Sequence, residues 1–212
     1  MIDFHLEILD QKRQKLLPAF LSVKNQFYLA GGTALGLQIG HRDSIDFDFF
    51  SEESFDTRAL DRHLQDIFHE YTIKKIQEEK DTLTLLLDSE IKISFFAYPY
   101  ILLEKCIETE YINLASIFDI GCMKLSALIS RSTLKDYVDL YYILQQRPLS
   151  SLLLGCNKKF PQLDTNLILK SLVYFDDMDS TPLQFMSGKE VSLETVKLYL
   201  QEEVKSYVEN VR

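Results

Sequence analysis

Gly31-Gly32-Thr33-Ala34-Leu35-Gly36-Leu37-Gln38-Ile39-Gly40-His41-Arg42-Asp43-Ser44-Ile45-Asp46-Phe47-Asp48-Phe49-Phe50 is the stretch whose reading decides the fold. It joins a glycine turn to two carboxylates. Side chains alternate faces along an extended segment, so Asp46 and Asp48 share one face while Ile45, Phe47 and Phe49 share the other. Burying the three apolar groups would fix the strand and leave both acids pointing one way, spaced so that one divalent ion can bridge them. Mg²⁺, or Mn²⁺ in its place, suits such a pair, because one or two carboxylates hold it together with phosphate oxygens. Upstream, the glycines let a phosphate approach the backbone closely, and a helix beginning there would turn its positive end toward an anion. A purely structural turn is the alternative for Gly31-Gly32-Thr33 taken alone.

Working outward, Phe27 to Ala30 reads as a short buried strand entering the glycines. Thr33 is the expected cap of a helix to Ile39, closed by Gly40. Asp46 to Phe50 is a second strand, and Asp56 to His69 is a helix with Leu60, Leu64, Ile67 and Phe68 inward. Strands follow at Tyr71 to Gln77, Thr82 to Leu87 and Ile91 to Tyr98, with Asp88-Ser89-Glu90 as a hairpin turn and Pro99 as a stop. Beyond residue 114 the pattern is helical, at Ser116 to Ile129, Leu134 to Gln146, Asp164 to Tyr174 and Leu193 to Val208, with an irregular stretch from Asp176 to Gly188. The expected fold class is α+β. A mixed-sheet core with flanking helices occupies residues 1–100, and a helical domain closing a nucleotide cleft occupies residues 101–212.

Composition narrows the function classes. The 212 residues are 46% hydrophobic, enough for a substantial core. No apolar run approaches the roughly 18 residues of a membrane span. A formal net charge of −9 argues against nonspecific DNA coating. The N-terminus, Met-Ile-Asp-Phe-His-Leu-Glu, shows no basic segment ahead of an apolar one, so a cytoplasmic location is expected. Cys106, Cys122 and Cys156 have neither zinc spacing nor an even count, and read as free thiols. His5, His63 and His69 lack ligand spacing as well. His41 reads as a solvated or structural loop residue, although it could assist phosphates beside Arg42.

A second constellation runs from Lys124 to Leu140. On a helix, Lys124, Ala127, Leu128 and Arg131 lie along one face, and Lys135, Asp136 and Asp139 follow on the next. Lys124 is a candidate point charge for a phosphate. For Arg131, Lys135, Asp136 and Asp139 an interhelical ion network is the alternative. Tyr137, Tyr141 and Tyr142 would either stack a base or fill a core.

The run Tyr28 to Leu35, then Gly40-His41-Arg42, Ser44 and Asp46 to Ser51, resembles the first motif of the AbiEii/AbiGii nucleotidyltransferase toxin family, part of the polymerase-beta-like nucleotidyltransferase superfamily. Lys124, Ala127, Arg131, Lys135-Asp136 and Asp139-Leu140 resemble its second signature. Phe175-Asp176-Asp177 before Pro182 is similar to its acidic C-terminal segment. The resemblance implies a nucleotidyltransferase-like core followed by a helical half. It also implies transfer of a nucleoside monophosphate from an NTP to an acceptor hydroxyl, with RNA such as the tRNA 3′ end favoured, in a toxin–antitoxin or abortive-infection system with a cognate antitoxin. By position, Asp46 and Asp48 would hold Mg²⁺. Gly31, Gly32, Thr33, Arg42, Ser44, Lys124, Arg131 and Asp136 would bind nucleotide, and Lys124 and Asp139 would join the metal pair as catalytic residues.

One position departs from the superfamily pattern. Where a later strand should supply a third acid, the chain reads Lys92-Ile93-Ser94-Phe95-Phe96, and a neutral hydroxyl is no general base. Three outcomes stand open: a one-metal centre, recruitment of another acid such as Asp139, or a nucleotide- or partner-binding protein without turnover. A small molecule or a protein side chain remains an alternative acceptor.

Overall fold

The computed structural model describes residues 4–179 and 181–211. Part of the N-terminal stretch read for a leader, and Ser180 of the irregular segment, lie outside them. The chain forms two units: Met1–Gly40, Ser44–Ile101 and Lys105–Ala115 make the first, and His41–Asp43, Leu102–Glu104 and Ser116–Arg212 the second.

The first unit is built on a mixed sheet of seven strands among the described residues: β1 (Tyr28–Ala30), β2 (Phe47–Ser51), β3 (Ile73–Glu79), β4 (Thr82–Leu87), β5 (Ile91–Ala97), β6 (Ile107–Glu108) and β7 (Asn113–Leu114). They lie in the order β3-β4-β5-β2-β1-β7-β6. Pairing is antiparallel except for the parallel neighbours β2 with β5 and β1 with β7. With α1 (Gln11–Leu16), α2 (Gly31–Ile39) and α3 (Thr57–Ile67) added, the α+β expectation holds.

Register explains the core. Phe49 lies opposite Leu29 on one side and Phe95 on the other, and Phe95 lies opposite Leu83. All four are buried, and Phe20 caps them with ring centroids 5.0 Å from Phe47 and 4.8 Å from Phe49. Full burial of each such side chain is worth about 1.5–3 kcal/mol, which pins the register, since a slip by one residue would exchange the two faces. The opposite face carries Asp48 beside Ser94, and Ser94 beside Thr84.

Two local expectations are corrected. Ile45 does not join Phe47 and Phe49 in the core: it precedes β2 and is 53% exposed. Thr33 does not cap α2, which begins two residues earlier at Gly31 with Ala30 in the cap position. Gly31 has φ +71°, a left-handed conformation that glycine adopts at no steric cost, and this lets the helix begin directly from β1. At the far end Gly40, in the left-handed region, closes α2 as expected. Asp56 caps α3, accepting from the N–H groups of Arg58 and Ala59.

The second unit is helical, with α4 (Ile117–Ser130), α5 (Leu134–Leu144), α6 (Leu149–Lys159), α7 (Thr165–Leu172) and α8 (Leu193–Val211). Ser116 caps α4 by accepting from Asp119 N–H at 2.9 Å. α6 is a helix beyond those expected from the sequence. Its apolar residues Leu149, Leu152, Leu153 and Cys156 are buried, while its close partner Asp119 lies 40 residues away, ion-paired with Lys159 at 2.9 Å. The segment from Asp176 to Gly188 is irregular, as read. It pairs along His41–Asp43, with Asp43 N–H donating to the Gln184 carbonyl at 3.0 Å and Met186 N–H to the His41 carbonyl at 3.1 Å. No helix of the described residues is long and apolar enough to cross a membrane.

Candidate active site

In the first unit the candidate metal-binding residues stand where the sheet and α2 meet. β1 and β2 pair antiparallel with Ala30 opposite Asp48, so Asp48 falls beside the start of α2. A Cβ on Gly31 would sit 3.6 Å from Asp48 Oδ2. The bare glycine therefore keeps open the space between that carboxylate and the first turn of the helix, whose leading N–H groups have no acceptor within the helix. Asp46 lies on the same side, just before β2, and its Oδ2 is 2.8 Å from Lys92 Nζ.

Thr33 has a different place from that expected of a phosphate ligand. It is buried, its hydroxyl donates to the Asp46 carbonyl, and it lies 2.8 Å from Ser44 Oγ. Thr33 and Ser44 thus tie α2 to the backbone that presents Asp46. Two carboxylates and the amides of a helix start at the half-buried Gly31 and Gly32 make a hard-oxygen and anion-binding set that fits a divalent ion carried with a phosphate. Among the described residues no group of three or more acidic, His or Cys side chains could hold a metal ion by itself. Ser94, read as the substitute for a third acid, sits directly beside Asp48 in the parallel register, buried and neutral.

The second unit gathers the remaining candidates into one buried ion network. Asp139 accepts from Arg42 Nε at 2.7 Å and Nη2 at 2.8 Å, from His41 Nε2 at 2.7 Å, and lies 2.5 Å from Lys124 Nζ. Lys124 also reaches Asp136 Oδ1 at 2.7 Å. Asp136 accepts from Thr133 Oγ1 at 2.7 Å and Arg131 Nε at 3.0 Å. Burial alone would raise the Asp139 carboxyl; the adjacent Lys124 and Arg42 charges and the His41 hydrogen bond reverse this and hold it well below the usual carboxylate range. Asp136 is lowered in the same way, with burial outweighed by Lys124, Thr133 and Arg131. Burial pushes His41 down despite Asp139, so the ring is neutral and carries its proton on Nε2. His41 Nδ1 is buried without a hydrogen-bond partner.

Lys124 is therefore 5% exposed with two carboxylates on its ammonium. Arg131, whose side chain is 55% exposed, is the cation of this network that faces solvent. His41 belongs to the network rather than to a solvated loop. Its link to Asp139 spans 98 residues, a relation that local spacing does not carry. Tyr137 is core, its hydroxyl donating to the Tyr174 carbonyl. Lys92, paired with Asp46, is a residue not among the candidates expected from the sequence. Its only signal is that it stands two positions before Ser94, on the same strand face.

The sequence model of the family described as "Nucleotidyl transferase AbiEii toxin, Type IV TA system" matches residues 15–191. The chain belongs to the AbiEii nucleotidyltransferase toxin family. An uncharacterized Aquifex aeolicus protein is 39% identical over 199 residues, covering 90% of this chain and 92% of that relative. Two solved structures resemble this AbiEii member in fold. MenT4, a nucleotidyltransferase toxin from Mycobacterium tuberculosis, matches with TM-score 0.60 at 13% identity, covering 91% of this chain and 80% of that one. JHP933 from Helicobacter pylori matches with TM-score 0.59 at 16% identity, covering 96% and 92%. The expected nucleotidyltransferase fold is thereby met.

Proposed function

We propose that this AbiEii nucleotidyltransferase is divalent-metal-dependent and transfers a nucleoside monophosphate from an NTP to the hydroxyl of an RNA acceptor, the tRNA 3′ end being the favoured one. The observation that carries the reading is the Asp48 carboxylate set against the bare Gly31 at the start of α2, with Asp46 on the same side. In the proposed reaction the acceptor oxygen attacks the α-phosphorus, the bond to the β-phosphate oxygen breaks, pyrophosphate departs, and the acceptor proton passes to water. A metal ion held by Asp46 and Asp48 would neutralise charge on the phosphates. Gly31 and Gly32 would offer backbone N–H groups to the triphosphate, while Thr33 and Ser44 position Asp46. Such in-line transfers depend mainly on positioning and charge neutralisation, which this small set supplies.

Within the helical unit, Arg131 is the cation proposed to meet a phosphate, since its side chain is more than half exposed. Lys124 would serve as a phosphate ligand only by leaving Asp136 or Asp139. We assign Asp139 and Arg42 to holding the His41–Asp43 segment. The family supports a toxin role with a cognate antitoxin in a toxin–antitoxin or abortive-infection setting.

Ser94 favours a second reading. A buried neutral hydroxyl beside Asp48, in place of an acid, suits a protein that binds nucleotide without turning it over. Incubation with each α-labelled NTP, Mg²⁺ and total RNA separates the two. Label in an RNA band, lost in Asp48→Asn, supports transfer. Mg²⁺-dependent nucleotide binding without label on RNA, protein or small acceptor supports the second reading, and absence of such binding refutes both.

A further inference from the structure

Lys92 lies on the face of β5 that carries Ser94, beside the two carboxylates of β2 and its approach, with Nζ 2.8 Å from Asp46 Oδ2. Nothing in the transfer chemistry above uses it. We propose that Lys92 competes with the divalent ion for Asp46, so that the centre takes up its metal together with the triphosphate rather than before it. This rests on the reading of Asp46 and Asp48 as the metal ligands.

Three observations carry the inference. The Lys92 ammonium lies on Asp46, one of the two carboxylates read as metal ligands, and the neutral Ser94 stands beside the other, so a divalent ion approaching Asp46 meets a cation already in place. A unit positive charge within a few ångströms of a divalent ion in a water-like dielectric weakens its binding about tenfold. The pair is also partly open to solvent, with side-chain exposure of 42% for Lys92 and 33% for Asp46. A lysine on a flexible stem can therefore withdraw without disturbing the strand. A triphosphate reverses the balance, because it brings oxygens that chelate the ion and anionic charge that offers the ammonium a second partner. Lys92 is thus a positioning residue that couples metal occupancy to nucleotide occupancy.

The test is a Mn²⁺ titration of the full chain followed by EPR, with and without an α,β-methylene triphosphate analogue. Wild type is expected to bind Mn²⁺ weakly alone and much more tightly with the analogue. Lys92→Ala should bind Mn²⁺ about tenfold more tightly without nucleotide, so that the gain on adding the analogue shrinks by the same factor, while Lys92→Arg keeps the wild-type pattern. Thermal melting of each variant confirms folding. Nucleotide-free affinity of Lys92→Ala within twofold of wild type, or weaker, overturns the proposal. Wild-type Mn²⁺ affinity in Asp48→Asn overturns instead the metal reading on which it rests.

Discussion

Replacing Asp139 by Asn removes the acceptor on which His41, Arg42 and Lys124 converge. The amide keeps the shape and one carbonyl oxygen but not the charge. Arg42 then has no carboxylate, Lys124 keeps only Asp136, and both cations remain buried. Removing one partner of a buried pair costs about 3–5 kcal/mol, because the desolvated charge is left uncompensated. Against a total stability of about 5–15 kcal/mol this is a large share. For a chain of this size it corresponds to a fall in melting temperature of about 6–20 °C.

Circular dichroism melting at pH 7 is the assay, with Lys124→Met as comparison. That variant leaves Asp139 with Arg42 and His41, and Asp136 with Arg131 and Thr133, so its loss should be the smaller. The sign of the pH dependence follows from the lowered Asp139 carboxyl. A group whose folded pKa is depressed stabilises above its unfolded value, and the contribution fades as pH falls toward the folded one. The gap between wild type and Asp139→Asn is therefore full above about pH 4 and narrows only below it. A fall of less than about 3 °C, or a greater loss in Lys124→Met, would refute the account of the network.

His41 is buried and neutral, its pKa depressed, so protonating it costs stability as pH falls below the ordinary histidine value of about 6.5. Urea unfolding between pH 7 and 5 should show a slope of at most about 1.4 kcal/mol per pH unit from this group, and His41→Gln should remove it; equal slopes would count against a buried neutral ring. Gly31→Ala places a methyl against Asp48 at a left-handed position, and should cost about 1–2 kcal/mol while weakening Mn²⁺–nucleotide binding at least tenfold by calorimetry. Ser94→Asp buries a carboxylate beside Asp48, so it should lower the melting temperature without metal, and Mn²⁺ should restore more stability than it adds to wild type.

What was legible in the sequence was what local pattern determines. The alternation around Asp46 to Phe50 gave a strand that the structure keeps at Phe47–Ser51, and the helices read from Asp56 and from Ser116 begin next to those residues, which cap them. Ile45 was misplaced because alternation does not say where a strand begins. Thr33 was misplaced because a left-handed glycine started the helix early and freed its hydroxyl for Asp46. Helix α6 was missed because burial over much of its surface blurs the one-sided apolar pattern. The partner of His41 and the place of Lys92 were not legible for one reason: each acquires its meaning from an acid brought near by tertiary pairing, across 98 residues for His41 and across a parallel strand pair for Lys92.

The anchoring of His41–Asp43 on Asp139 also orders events in time. A ribosome makes Arg42 well before it makes Asp139, 97 residues later, and until α5 emerges the short segment between Gly40 and Ser44 has no carboxylate to hold it. Closing so long a loop is a late and slow step in folding. The His41–Asp43 segment is thus secured only when most of the chain has been synthesised, and a nascent or prematurely terminated fragment of this toxin-family protein lacks the clamp that the finished one carries.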